Sequence, residues 1–288
     1  MIPSAKNNNP LMSYMRQPKI YVRLPSNGEY WPPGSLTPAE TQEYPVYSMT
    51  AKDELLLKVP DAILNGQAVV DVIQNCLPNI KNAWMTPSVD LDAILIAIRI
   101  ATYGEKMSTP VNLPSEINLD YEVDLRFVLD NLYQTITWDP VIPVTQDLTV
   151  YVKPLNYKQI SDSSVKSFET QKILMLANDE NLSQDQKVEM FQKTFAKLTD
   201  VTIGVVKDSI FRIDTPEGSV EDPRFIREFV DNIDKDMFNI IQNHLDKLKD
   251  NNVIKPIEIE TPEQIKLQGY TQPTITVPLV FDPSTFFV

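Results

Sequence analysis

The sequence predicts an α+β fold, in which a mainly helical core is accompanied by small antiparallel β-hairpins or a small sheet. Residues 49–104 are the most apolar part of the chain, and their apolar positions recur with helical spacing. Residues 121–125 and 148–152 instead alternate between apolar and polar side chains, as strands with one exposed face do. Helices and antiparallel strands are therefore expected within one chain.

Composition limits the classes of partner. The 288 residues carry 26 basic and 39 acidic side chains, and the net charge of −13 argues against binding to the phosphate backbone of nucleic acids. The charged side chains of residues 1–30 are Lys6, Arg16, Lys19, Arg23 and Glu29. We therefore predict an extended basic arm over residues 1–18, which is interpreted first as a solvated tail and alternatively as a segment that docks on an acidic neighbouring surface.

The N-terminal quarter is predicted to cross the surface. Residues 20–24 alternate like a strand, and a turn follows in which Gly28 supplies a positive φ. Tyr30 and Trp31 then open a proline-rich passage over residues 30–45. The candidate partner contacts in this part of the chain are Arg16, Lys19, Arg23, Tyr30 and Trp31.

Three helices are predicted between residues 50 and 104. Thr50 and Asp53 have the spacing of a capping box, so a helix is expected over 51–58. A second helix is expected from about residue 66 or 67 to 75, and a third over 89–103. For the third helix, we predict Ser88 as the N-cap and Gly104 as the residue that ends it. Its first turn contains Asp90 and Asp92, where the helix dipole favours negative charge.

The third helix is apolar around nearly its whole circumference, so it is expected inside the protein. A membrane span is excluded, because Asp92 and Arg99 leave only residues 93–98 uninterrupted and a span needs about 20 apolar residues. A buried guanidinium needs a partner, so Arg99 is predicted to pair with a carboxylate. The candidates from neighbouring helices are Asp53, Glu54 and Asp61.

The second half alternates between helices and strands. Residues 127–138 are compatible with a helix or a strand, and residues 201–213 with a continued helix or a strand. Helices are predicted over 157–177, from a capping box of Ser183 and Gln186, and from Asp222 before Pro223 along the amphipathic stretch 226–250. In the second of these helices, the apolar residues follow a 3-4-3 spacing: Val188, Phe191, Phe195 and Leu198.

The C-terminal part is predicted to form a β-hairpin from residues 253–259 and 274–281. The chain closes with Phe286 and Phe287. Aromatic side chains near a terminus either pack into their own core or anchor a partner, so both residues are further candidate partner contacts.

The sequence offers few groups for catalysis, and no catalytic, cofactor-binding or metal site is predicted. The chain has one histidine, His244, which lies beside an apolar helical face, and one cysteine, Cys76, within another. The seven glycines never cluster into a phosphate-binding loop. Asp90 and Asp92 remain as the basis of an alternative hypothesis, an acidic-residue hydrolase.

The most apolar block also carries a resemblance to a known family. TAKDELLLKVPDAILNGQAVVDVIQNCLP (50–78) and DLDAILIAIRIATYG (90–104) resemble the baseplate hub subunits of T-even-type contractile-tailed phages. The resemblance covers about residues 45–104, with weaker echoes in IYVRLPSNGEYW (20–31) and FDPSTFF (281–287). It implies a structural or assembly protein of the tail baseplate without a catalytic site.

These observations lead to one functional prediction. We expect a non-enzymatic protein that contacts other baseplate hub proteins, in the host cytoplasm during assembly and then in the virion tail baseplate. An assembly chaperone absent from the mature virion is the alternative, and a homo-oligomer is left open. The predicted divisions are an arm (1–18), a helical core with flanking strands (19–154, helical over about 50–104) and a helical region with the C-terminal hairpin (155–288).

Overall fold

The structure, a computed structural model, describes residues 11, 14–60, 62, 65–114, 117–177, 183–279 and 286–287. Asp61 and most of the predicted N-terminal arm lie outside these residues. None of the helices in the described part is long and apolar enough to cross a membrane.

The described elements confirm the predicted α+β class. The helices are α1 (Ala51–Leu56), α2 (Gln67–Cys76), α3 (Ser88–Tyr103), α4 (Leu125–Thr135), α5 (Tyr157–Ala177), α6 (Gln184–Ser209), α7 (Pro223–Asn232), α8 (Lys235–Asn251) and α9 (Glu263–Leu267). The strands are β1 (Pro18–Val22), β2 (Tyr44–Tyr47), β3 (Lys106–Leu113), β4 (Ile117–Asp124), β5 (Val141–Pro143), β6 (Thr149–Val152), β7 (Ile210–Thr215), β8 (Gly218–Val220), β9 (Ile257–Glu260) and β10 (Thr274–Val277). All the strand pairs are antiparallel: β1–β2, β3–β4, β9–β10 and a four-stranded sheet in the order β5-β6-β7-β8.

Helix α3 lies at the centre of the first hydrophobic core, as its all-round apolar surface predicted. Ile94, Ile96 and Ile98 point in different directions around the helix, and each is completely buried. One predicted detail is wrong: Ser88 is the first helical residue, and the N-cap position belongs to Pro87, which offers no side-chain hydrogen bond. Gly104 ends the helix at φ +95°, a backbone conformation that residues with a Cβ atom rarely adopt.

Several local signals gave the correct elements around this core. The capping box of Thr50 and Asp53 is formed at the start of α1. The ambiguous stretch 127–138 lies largely in α4, because Asp124 accepts hydrogen bonds from the amides of Arg126 and Phe127 and caps that helix. Strands β3 and β4 form a hairpin with eight paired positions between α3 and α4.

A second core lies between the four-stranded sheet and parts of α6, α7 and α8. Its fully buried side chains include Ile142, Val150 and Ile241. The amphipathic stretch 226–250 is two helices, because Asp234 accepts a hydrogen bond from the amide of Met237 and starts α8.

The C-terminal hairpin is confirmed as the pair β9–β10, and it packs on the first core. Ile265, Ile275 and Val277 belong to the same hydrophobic cluster as α3. Along the sequence, the chain therefore contributes to the first core, then to the second core, and then to the first core again. The division at residue 154 stays a prediction about folding units.

Helices α5 and α6 form a long antiparallel hairpin between the two cores. Its base is fixed to the first core by a stack of Trp84 on Tyr157 and a hydrogen bond of 3.0 Å from Ser161 Oγ to the carbonyl oxygen of Asn65. At the same base, the C-terminal end of α6 enters the second core at Val206. None of the side chains described over 158–173 and 183–202 belongs to either hydrophobic cluster.

Candidate interaction sites

The one cysteine and the one histidine, the side chains most often used in catalysis, take part in packing and in an internal hydrogen bond. Cys76 is buried, and burial raises the pKa of its thiol to about 12, so the reactive thiolate is scarce at neutral pH. His244 is half-buried, with its Nε2 3.0 Å from the carbonyl oxygen of Asp139. Among the described residues, no three His, Cys, Asp or Glu side chains are grouped to hold a metal ion.

Two surface cavities of about 400 Å³ occur in the described part of the chain. The first lies between α5 and α6, where Asp162, Lys166, Lys197 and Asp200 contribute charges of both signs to its lining. The second lies between α4 and residues 253–258. Neither lining contains a histidine or cysteine, so neither offers an imidazole base or a thiol nucleophile.

Asp90 is a buried carboxylate that ties the N-terminal turn to α3. The amide and hydroxyl of Ser26 donate to its two oxygens at 2.8 and 2.5 Å, and the indole Nε1 of Trp31 donates at 2.7 Å. Burial raises the pKa of Asp90, and these hydrogen bonds oppose the rise. The carboxylate is completely buried and occupied by donors from this chain, so it is not available to a substrate.

Asp53 has a similar internal role and does not pair with Arg99. One of its oxygens accepts hydrogen bonds of 2.7 Å from the amide and the hydroxyl of Thr50, and the other accepts one of 2.7 Å from Asn75. Asp92 differs from both, because it is half-buried without an offsetting contact among the described residues. Burial alone raises the pKa of Asp92 to about 6.

Arg99 holds the C-terminal aromatic residues and forms no ion pair with Asp53 or Glu54, while the third predicted partner, Asp61, lies outside the described residues. Its guanidinium donates to the carbonyl oxygen of Phe286 and lies 5.2 Å from the ring centroids of both Tyr103 and Phe286. The Tyr103 hydroxyl is 2.9 Å from the carbonyl oxygen of Phe287 and 3.3 Å from a carboxylate oxygen of Glu54. Among the described residues, the partners of the cation are therefore two aromatic faces and a carbonyl oxygen.

The predicted partner contacts divide into buried and exposed groups. Trp31, Phe286 and Phe287 are buried in the first core, so the structure shows the internal interpretation of the terminal aromatics. Their assignment as partner contacts is therefore corrected. Arg16 is also used internally: it donates to the carbonyl oxygens of Ser48 and Asn75 at 2.6 and 2.7 Å.

The remaining three predicted contacts lie at the surface. Lys19 is exposed on β1. Arg23 forms a well-exposed ion pair of 2.8 Å with Glu43, a kind of pair that contributes little to stability. Tyr30 is half-buried, with its ring at an angle to that of Trp138 and the centroids 6.3 Å apart.

Among the described side chains of the α5–α6 hairpin, the largest exposed apolar ones were not singled out as contacts from the sequence. Phe195 is 64% exposed, Val188 52%, Phe168 50% and Phe191 37%. Among the side chains described over 162–173 and 183–205, the buried ones are instead small: Thr170 and Thr194, whose hydroxyls donate to carbonyl oxygens four residues earlier in their own helices. The 3-4-3 spacing was visible in the sequence, but the spacing alone does not determine whether an apolar stripe faces the protein's own core or the solvent.

Comparison with known proteins gives one significant match. A family profile described as T4 bacteriophage base plate protein matches residues 17–270. This region includes both hydrophobic cores and the whole α5–α6 hairpin. Neither the curated proteins nor the solved structures contain a significant match.

Proposed function

The chain belongs to the T4 bacteriophage base plate protein family, and from this premise we propose that it is a non-enzymatic structural or assembly protein of the tail baseplate hub. It works by contacting other hub proteins, first in the host cytoplasm during assembly and then in the virion tail.

The observation that carries this proposal is the uncovered apolar surface of the α5–α6 hairpin. Phe168, Phe191 and Phe195 are large aromatic side chains on a helix pair whose middle part contributes to neither core. Exposed aromatic residues grouped on one rigid element are typical of protein contact sites, where they provide most of the binding energy.

The internal use of polar groups supports the same interpretation. The buried carboxylates of Asp53 and Asp90 accept hydrogen bonds from Thr50, Asn75, Ser26 and Trp31 and hold segments of the fold together. The acidic-residue hydrolase hypothesis needs a carboxyl group that a substrate can reach. Asp90 is completely buried, so the hypothesis loses one of the two carboxyl groups, Asp90 and Asp92, on which it rests.

The proposal is tested by following a tagged full-length chain through phage assembly. Baseplate intermediates and mature virions are purified separately, and the ratio of the chain to the other hub proteins is measured by quantitative mass spectrometry. We expect a fixed ratio in both fractions. Presence in intermediates but absence from virions would support the chaperone alternative, and absence from both would refute the proposal.

The hairpin's part in assembly is tested with matched variants. Phe191→Ser/Phe195→Ser removes two exposed aromatic side chains from α6, and Phe127→Ser/Phe225→Ser removes two others, each 58% exposed, elsewhere on the surface. We expect the first variant to be depleted from intermediates and the second to be incorporated normally. Equal incorporation of both variants would refute a role for the exposed aromatic side chains of α6 in assembly.

A further inference from the structure

The exposed apolar residues of α6 are arranged as the contact seam of a coiled coil. Val188, Phe191, Phe195 and Leu198 are separated by three, four and three residues, which is the spacing of alternating a and d positions. In the described structure, the first three are exposed and Leu198 is half-buried. Helix α5 packs on an adjacent side of α6, where Thr194 is buried. Helix α6 therefore packs against α5 on one side, and its seam leaves an apolar surface on which a second helix can pack.

We propose that this seam pairs with the same seam of a second copy of the chain, so that two α5–α6 hairpins form an antiparallel four-helix bundle. The proposal rests on the proposed role as a contact protein and names one of its partners. A two-fold contact of this kind uses the same surface on both copies.

Charge distribution favours a second copy as the occupant. Residues 163–199 contain five lysines and five acidic residues, so this part of the hairpin is neutral in a chain with a net charge of −13. The charged residues at the positions that flank the seam, Asp185 and Lys187, are of opposite sign, and Glu189 and Lys193 form an ion pair of 2.7 Å on the outer face of the helix. A basic partner would be attracted to the acidic body instead, whereas two like-charged copies repel each other least where both are neutral.

The same argument selects the antiparallel arrangement. A two-fold axis near residue 193 places Phe191 of one copy against Phe195 of the other. The second core begins at Ile203, about 15 Å along the helix from that axis. The two second cores are then about 30 Å apart, several times the screening length of about 8 Å at physiological salt. A parallel arrangement would bring the acidic bodies together at one end.

The available area predicts an association of moderate strength. From their exposed fractions, the three exposed side chains of the seam, Val188, Phe191 and Phe195, expose on the order of 300 Å² per copy, taking about 200 Å² for a complete phenylalanine side chain. A standard stable interface buries about 800 Å² per partner. The apolar seam supplies a little over a third of this area, and the neighbouring side chains of both helices must supply the rest. We therefore expect a dimer with a Kd in the micromolar range.

Sedimentation velocity of the purified full-length chain between about 1 and 200 μM tests the proposal. We expect the wild-type chain and the control Phe127→Ser/Phe225→Ser to form dimers with Kd values within twofold of each other. Phe191→Ser/Phe195→Ser should dissociate at least tenfold more readily, with circular dichroism confirming that its helix content is retained. A wild-type chain that stays monomeric at 200 μM, or a seam variant with unchanged Kd, would overturn the proposal.

A charge exchange at Gln192 tests the geometry without removing apolar surface. Gln192 is exposed beside the seam, one residue from the proposed two-fold axis, so it should face its own counterpart in the dimer. Gln192→Glu and Gln192→Lys should each dimerise more weakly alone, by roughly threefold, because like charges then meet. An equimolar mixture should recover the wild-type Kd, and a mixture no tighter than either variant would overturn the antiparallel pairing.

These outcomes are separable from those of the proposed function. A monomeric chain that still enters baseplates at a fixed ratio would overturn the self-contact alone. A dimer that never enters baseplates would refute the baseplate role and leave the self-contact in place.

Discussion

Asp90 and Asp92 are two residues apart in α3, yet the structure predicts opposite effects when each is replaced by its neutral amide. Asp92→Asn is expected to stabilise the protein at neutral pH, because this half-buried carboxylate has no offsetting contact among the described residues. Asp90→Asn is expected to destabilise it, because three donors from Ser26 and Trp31 converge on the carboxylate. An amide group presents only one acceptor oxygen to them.

The size of the Asp92 effect follows from its pKa, which burial raises from an ordinary 3.8 to about 6. The folded protein then binds the proton more tightly than the unfolded chain does, so stability falls as the pH rises from about 4 through 6. At about 1.4 kcal/mol per pKa unit, the shift corresponds to about 3 kcal/mol at neutral pH. Partial contact with solvent screens this penalty, so we expect Asp92→Asn to add about 2 kcal/mol to the free energy of unfolding at pH 7.5.

Urea unfolding at pH 7.5, 6, 5 and 4 measures both effects. The gain from Asp92→Asn should shrink as the pH falls and vanish near pH 4, where the wild-type carboxyl group is protonated in the folded state. Asp90→Asn should lose about 2 kcal/mol at pH 7.5, as is typical when buried donors lose a charged acceptor. A destabilised Asp92→Asn at pH 7.5, or a gain that does not depend on pH, would refute the reasoning.

The other predictions concern the C-terminal aromatics and the thiol. Phe287→Ala should lower the free energy of unfolding by about 3 kcal/mol in urea titrations, because it empties a buried site, whereas the exposed control Phe225→Ala should change it by less than about 0.5 kcal/mol. Arg99→Ala should cost about 1–2 kcal/mol and accelerate proteolysis at the C-terminus, because it removes the donor to Phe286; unchanged proteolysis would contradict the contact. Cys76 should react with a thiol reagent at pH 8 only after unfolding, and rapid stoichiometric labelling of the folded protein would contradict its raised pKa.

The N-terminal turn shows why the polar sites could not be derived from the sequence. Asp90 was interpreted as a helix-dipole residue, which its position in the first turn of α3 allowed. Its hydrogen-bond partners, Ser26 and Trp31, are 64 and 59 residues away in the chain. Contacts over such distances leave no periodic pattern. Arg99 gives the same lesson, since the need for a partner was visible but its identity, a carbonyl oxygen 187 residues away, was not.

What the sequence determined by itself was local: the α+β class, the capping boxes that start α1 and α6, the all-round burial of α3, the antiparallel C-terminal hairpin and the family. These features depend on side chains within about one helical turn or one hairpin. The sequence alone is therefore enough to predict them. Only the tertiary structure decided that Phe286 is inside while Phe191 and Phe195 are outside. An apolar side chain favours any surface that removes it from water, and the fold selects whether that surface belongs to the same chain or is left for another.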